Sequence, residues 1–335
     1  MAELTNKLEI TVEDLEMNLG SKKLEKFIKD SEATFIERTE VAINAVCSDK
    51  NIKAVFISGP TSSGKTTFTM HLAEGLSKAG RKASFLSLDD YYCLKDVSYD
   101  KDGRPDYETI EALNLERAQD DIKRIINHES VVTPYFDFKT RETHDREEPI
   151  CLPEDGVLVV EGLHGLNKRV SGGLDDSECV KIFIMPYGNV FCDTKLMDSN
   201  EIRLLRRIIR DGKHRNANAL ATIDYWPMIE KSEEAYYVDY LSRADYHVNS
   251  FLAYESLVIA PLALADIKEA LEAVRNNTIE PSCFMVSSKT NKAYADLSKA
   301  LNRARKLVEH LEKIPVCDPS RVPGDSILLE FISDD

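Results

Sequence analysis

The stretch Gly59-Pro-Thr-Ser-Ser-Gly-Lys-Thr-Thr67 follows the apolar run Ile52-Lys-Ala-Val-Phe-Ile-Ser58, and the reading of this junction decides the fold. Gly59, Gly64, Lys65 and Thr66 match the phosphate-loop pattern GxxxxGK(S/T), with the strand before it and the helix after it that the pattern requires. The glycines permit backbone angles that turn amide N–H groups inward around phosphate oxygens. A helix over Lys65–Lys78, ending near Gly80, offers its positive end to the same anion. In such a loop Lys65 bridges the β- and γ-phosphates and the Thr66 hydroxyl ligates Mg²⁺; Pro60, Thr61, Ser62, Ser63 and Thr67 complete the nucleotide cradle. A glycine-rich turn without ligand is the alternative. The stretch names a nucleotide and not a reaction.

Outward from the loop, Ile52–Ser58 reads as a central parallel strand and Lys82–Asp89 as a second one. A helix is expected over about 108–128, strands at Val131–Phe138, Val157–Glu161 and Val180–Met185, and helices at Glu201–Lys213, to about 275, and over about 290–312. Strands alternating with helices predict an α/β protein of P-loop NTPase type, a doubly wound, mostly parallel sheet flanked by helices. Ahead of it, Leu24, Phe27, Ile28, Phe35, Ile36, Ala42, Ile43 and Val46 recur at steps of three and four. The expected organisation is an N-terminal helical extension (1–50), a core (51–275) with an arginine-rich lid at about 201–240, and a C-terminal helical tail (276–335).

The bulk properties narrow the function classes. A net charge of −15 argues against a nucleic-acid or anionic-membrane surface, so an anionic ligand needs a local basic site. No apolar run approaches the roughly 18 residues that span a bilayer, and the acidic start Met1-Ala-Glu-Leu-Thr is unlike a signal peptide. The 7 cysteines show no CxxC spacing and read as reduced thiols of a cytoplasmic protein.

In open α/β sheets ligands bind beyond the carboxyl ends of the strands. Asp89 and Asp90 end the second strand, and Glu161 ends Val157-Leu-Val-Val160. Glu161 suits a carboxylate orienting Mg²⁺ across from Thr66, with helix capping as the alternative. Asp89 suits a base that takes the proton of an acceptor hydroxyl, and also a metal-side position; an ordinary polar loop is the alternative. Pro134-Tyr-Phe-Asp-Phe-Lys-Thr-Arg141 gathers aromatics, an acid and bases that can hold a flat ring, or else form one core-facing strand. Arg203, Arg206, Arg207, Arg210, Lys213 and Arg215 crowd a helix with few acids inside the run. That favours a lid closing on a triphosphate over a solvated helix, with Asn216–Trp226 as the mobile lid's outer turn and short helix.

Taken in order, "GPTSSGKTT", "SLDDYY", "PYFDFKTRE", "VLVVEGLHGLN", "RLLRRIIRD" and "ADYHVNSFLAYE" resemble the uridine kinase and phosphoribulokinase family, closest to its bacterial-type nucleoside kinase branch. Trp226-Pro227 and the ending "VPGDSILLEFI" (322–332) extend the likeness, which covers about 52–333. The resemblance implies ATP- or GTP-dependent phosphorylation of a nucleoside 5′-hydroxyl, uridine or cytidine first, with Mg²⁺. It implies Lys65, Asp89 and Arg210 as catalytic groups, Glu161 as the Mg²⁺-side acid, and Arg206 and Arg215 as further nucleotide contacts. Asp106, Phe136, Phe138 and Arg141 would hold the acceptor. Three departures bear on the acceptor: a first segment of only 1–50, the altered Gly188–Asn200, and Phe136 where uridine kinases place a tyrosine. A kinase for another alcohol such as a sugar phosphate, served by Lys139 and Arg141, therefore stays open, as does a homo-oligomer. A nucleotide switch, suggested by Ser287-Ser-Lys289, lacks NKxD and DxxG; a nucleotide-binding scaffold is opposed by the intact Lys65, Thr66, Asp89 and Glu161.

Overall fold

Short apolar runs rich in β-branched residues become the inner strands, and amphipathic runs cover them. In this computed structural model residues 7–93, 97–137, 140–171, 173–285 and 289–333 are described. The chain begins with β1 (Leu8–Thr11), α1 (Val12–Met17) and α2 (Ser21–Ser48), then β2 (Ala54–Ser58), α3 (Lys65–Lys78) and β3 (Ala83–Ser87). Two short strands, β4 (Ser98–Tyr99) and β5 (Pro105–Asp106), precede α4 (Leu115–Ile126) and the hairpin β6 (Pro134–Asp137) and β7 (Glu142–Asp145). β8 (Val157–Glu161), β9 (Cys179–Met185), β10 (Gly188–Phe191) and β11 (Lys195–Met197) lead into α5 (Ser199–Arg215), α6 (Ala219–Glu234) and α7 (Tyr237–Arg243). β12 (Tyr246–Asn249), α8 (Ser256–Arg275), α9 (Leu297–Leu311) and α10 (Leu329–Ile332) complete it.

The frame is a five-stranded sheet in the order β3-β8-β2-β9-β12, parallel throughout. Alternate residues of each strand point into two apolar layers. Val55, Ile57, Val159 and Ile182 join the larger one with Phe68, Leu72, Trp226 and Ile259. Phe56, Leu86, Leu158 and Phe183 join the other with Ala118, Ile122 and Ile125 of α4. Both faces are covered, as an all-parallel sheet demands. This is the doubly wound α/β fold expected from the phosphate loop. The helix expected over about 108–128 begins at Leu115, where the Asn114 side chain accepts from the Arg117 N–H as its cap.

The first fifty residues depart from a purely helical extension. Leu8–Thr11 is a strand, parallel to β10, which in turn pairs antiparallel with β11. The altered segment Gly188–Asn200 thus makes a second, three-stranded sheet with the N-terminus. α2 buries Leu24, Ile28, Phe35, Ala42 and Val46 in the larger core layer, while Ile36 faces solvent.

The lid expectation needs correction. α5 and α6 are core helices: Ile202, Leu205, Ile208, Leu220, Trp226 and Ile229 are all buried, and the expected turn and helix at Asn216–Trp226 form, with α6 beginning at Ala219, but packed into the core. Apolar residues fill the positions between the arginines; acids from distant elements neutralise Arg203 and Arg206, and Asp211 of the same helix meets Arg207, Arg210 and Arg215. Arg203 forks onto Glu233, and Arg206 onto Glu255 at 2.7 and 3.1 Å.

Candidate active site

The phosphate loop is pinned from behind. Ser250 Oγ donates to the Ser63 carbonyl at 2.6 Å, and an Arg206 Nη donates to the Ser62 carbonyl at 3.3 Å. Holding carbonyls outward leaves the loop's concave side to N–H groups and hydroxyls. Ser62 Oγ and Ser63 Oγ are buried without a hydrogen-bond partner, which suits a cradle for a ligand rich in acceptors. Gly64 sits at φ +88°, where only glycine is unstrained, and caps α3. A Cβ at Gly59 would lie 2.1 Å from the Ile184 carbonyl oxygen, so the loop can approach β9 only with glycine there.

Because β8 lies between β2 and β3, three strand ends converge on one cavity of about 800 Å³. Thr61, Ser62, Lys65 and Thr66 line it from the loop, Asp89 from the short turn after β3, and Glu161 from the end of β8. Gly59, Pro60, Ser63, Gly64 and Thr67 shape the loop from outside that lining. Lys65 Nζ donates to the carbonyls of Gly59 and Pro60 at 2.8 and 3.0 Å. Glu161 accepts from Ser87 Oγ at 2.8 Å. Burial pushes the Asp89 carboxyl up, opposed by the charge of Lys65. Burial and the neighbouring charge of Asp89 together push Glu161 up to about 8. Two mutually repelling carboxyls beside a threonine hydroxyl are a donor set that fits a hydrated divalent cation, which would relieve the repulsion.

The other end of the cavity is aromatic and basic. Phe136 of β6 packs against Tyr92 at 5.6 Å, and Tyr225 of α6 stacks on Phe284 at 4.8 Å and 18°. Arg141 donates to Tyr107 Oη at 3.0 Å and to the Cys283 carbonyl at 3.3 Å. Phe138 and Lys139 lie outside the described residues, as do Ser287 and Ser288. Asp106 does not reach the cavity: it accepts from Ser232 Oγ at 2.8 Å and from the Glu108 N–H, turned toward α6. Glu108 lines the cavity in its place. In an extended chain these two acids would share one face; β5 ends at Asp106, and the turn in which Asp106 accepts from the Glu108 N–H sends the two side chains to different sites.

Of the arginines expected at the nucleotide, Arg210 and Arg215 line the cavity and Arg206 does not; it is fully buried against Glu255 and the back of the loop. Arg207 does line it, donating to Thr61 Oγ1 at 2.8 Å. The buried carboxylate of Asp211 sits among Arg207, Arg210 and Arg215 at 2.9, 3.6 and 3.4 Å. Burial and the charge of Arg215 pull Arg210 down to about 10, so it remains a cation at neutral pH. Phe284, Cys283 and Glu330, from the C-terminal segments, complete the wall with no local motif to announce them.

Glu108 is held by His164, whose Nε2 lies 2.9 Å from the Glu108 carbonyl and whose Nδ1 lies 2.9 Å from Tyr240 Oη. Burial lowers the His164 pKa to about 4, below its ordinary value of 6.5. Between those values the unfolded chain binds the extra proton and the folded protein does not. Stability from this residue is therefore present above pH 6.5 and is lost as pH falls toward 4, by up to about 3 kcal/mol. Urea midpoints of the protein and of His164→Gln should draw together over that range; parallel profiles would remove His164 as the source.

Compared with known proteins, the model described as the Phosphoribulokinase / Uridine kinase family matches residues 54–253. A curated protein named uridine kinase from Leuconostoc citreum (strain KM20) is 30% identical over 172 residues, 51% of this chain and 73% of that protein. The solved structure of a possible uridine kinase from Bacillus stearothermophilus is similar with a TM-score of 0.42 at 16% identity, covering 63% of this chain and 97% of that one. No helix of the described residues is long and apolar enough to cross a membrane.

Proposed function

The chain belongs to the phosphoribulokinase and uridine kinase family, and from that premise we propose that it transfers the terminal phosphoryl group of ATP to the 5′-hydroxyl of a nucleoside, uridine or cytidine first. It is a phosphotransferase with an alcohol acceptor. One observation carries the nucleoside reading: the cavity that holds Lys65, Thr66, Asp89 and Glu161 continues into a chamber walled by Tyr92, Tyr107, Phe136, Tyr225 and Phe284. Aromatic faces take up a flat base, and Glu108 supplies a carboxylate for ribose hydroxyls beside it.

The residues divide the work accordingly. The loop and Lys65 hold the triphosphate, and Asp89 accepts the proton of the attacking hydroxyl. A new bond forms between that oxygen and the γ-phosphorus as the bond to the β,γ-bridging oxygen breaks, and ADP leaves with the electron pair. Arg210 and Arg215, kept in place by Asp211, offset charge on the migrating group. Thr66, Glu161 and Asp89 are the groups that would hold Mg²⁺, which supplies neutralisation of phosphate charge when bound.

ADP release measured across ribonucleosides, deoxynucleosides and sugar phosphates tests this. Release with uridine or cytidine is expected; release with a sugar phosphate alone would replace the acceptor. Phe284→Ala should raise the KM for the nucleoside by about tenfold, the loss of one stacking face, with the KM for ATP little changed. An unchanged acceptor KM would move the base away from that wall.

A further inference from the structure

The C-terminal helix α10 lies on the phosphate loop. Glu330 Oε2 accepts from both the N–H and the hydroxyl of Thr67, each at 3.2 Å, and its side chain lines the cavity. Thr67 lies in the first turn of α3, whose N–H groups have no partner within the helix and are the donors that phosphate loops offer to phosphate oxygens. A carboxylate oxygen and a phosphate oxygen are both acceptors for these donors, and two anions at one point repel. The two contacts are at the long end of the hydrogen-bond range, as suits an exchangeable partner.

The rest of the tail packs on the same loop and on α5, so α10 cannot move Glu330 away without shifting itself. Ile327, Leu328 and Phe331 are fully buried, and Ile327 Cδ1 fills the space where a Cβ on Gly64 would stand, 2.3 Å away. The Arg206 guanidinium lies 5.0 Å from the Phe331 ring, and Lys213 Nζ donates to the Ile332 carbonyl at 2.7 Å. Lys213 belongs to the turn of α5 next to Arg210 and Arg215.

We propose that Glu330 is a built-in occupant of a donor-phosphate position, and that triphosphate binding lifts it away, loosening α10 and its tie to the arginine-bearing turn of α5. The chain thereby holds its own competitor for the nucleotide, and loading the donor is linked to freedom of the arginines that meet it. This rests on the loop as a triphosphate site and is independent of the acceptor's identity. It also assigns the last turn of the chain a role at the donor.

Calorimetric titration of the full chain, Glu330→Ala and Glu330→Gln with ATP, and separately with inorganic tripolyphosphate, tests it. Both variants should bind both ligands about tenfold tighter, because they no longer spend affinity on opening the site. In the unaltered protein, ATP should speed hydrogen exchange at the amides of residues 329–333. Equal or weaker affinity in the two variants, or exchange there that ATP slows, would overturn the proposal. Binding of neither ligand by any of the three proteins would instead remove the triphosphate site, and the competitor with it.

Discussion

Asp89→Asn should lower turnover by about a hundredfold or more while ATP affinity changes little. The substitution keeps the size and polarity of a side chain that lines the cavity with Lys65, Thr66 and Glu161. What it removes is the charged, basic carboxylate that would take the proton from the acceptor. It also removes the charge that helps push Glu161 up, so Glu161 should ionise more readily. Steady-state ADP release paired with calorimetric ATP titration separates the two roles open to Asp89. A proton acceptor shows in turnover alone, whereas a dominant metal-side role lowers nucleotide affinity as well. Undiminished turnover would take Asp89 out of the chemistry.

Arg206→Ala is expected to cost about 3–5 kcal/mol of stability, the consequence of stranding a buried carboxylate. Both partners of the pair have no exposed side-chain surface, and Glu255 would keep only the Leu252 N–H among the hydrogen bonds described. The loop would also lose the clamp on the Ser62 carbonyl. Chemical denaturation measures the first effect. A variant of unaltered stability with sharply weaker ATP binding would return Arg206 to the nucleotide, where the charge run alone had suggested it belonged.

That misplacement shows where sequence reading stops. The strand, loop and helix at Ile52–Lys78 were legible because every constraint on them is local: apolar run, glycines, lysine, helix start. Asp89 and Glu161 were legible because strand ends in a parallel sheet have one functional side. The buried arginines of α5 were not, since the partners of two of them come from elsewhere: Glu233 lies 30 positions from Arg203, and Glu255 lies 49 from Arg206. A window of sequence cannot distinguish an unpaired cation from one whose acid arrives from another helix. Glu330 and Phe284 were hidden for the same reason, because only the path of the C-terminal segment brings them to the cavity. Asp106 and Glu108 show a finer limit, a shift of two residues in a loop whose turn chemistry decides which acid faces inward.

The parallel pairing of Leu8–Thr11 with Gly188–Phe191 has a temporal side as well. Glu9 and its cross-strand neighbour Asn189 are 180 positions apart. On a translating ribosome adding about 5–20 residues each second, the opening strand waits roughly 10–40 s for its neighbour to emerge. Throughout that interval the unsatisfied backbone edge of β1 stands open to other nascent chains, whereas α2 can pack its Phe35 on Phe68 as soon as α3 has emerged. Chaperones that shield early-emerging segments are thus expected to govern the yield of folded protein more than its final stability does.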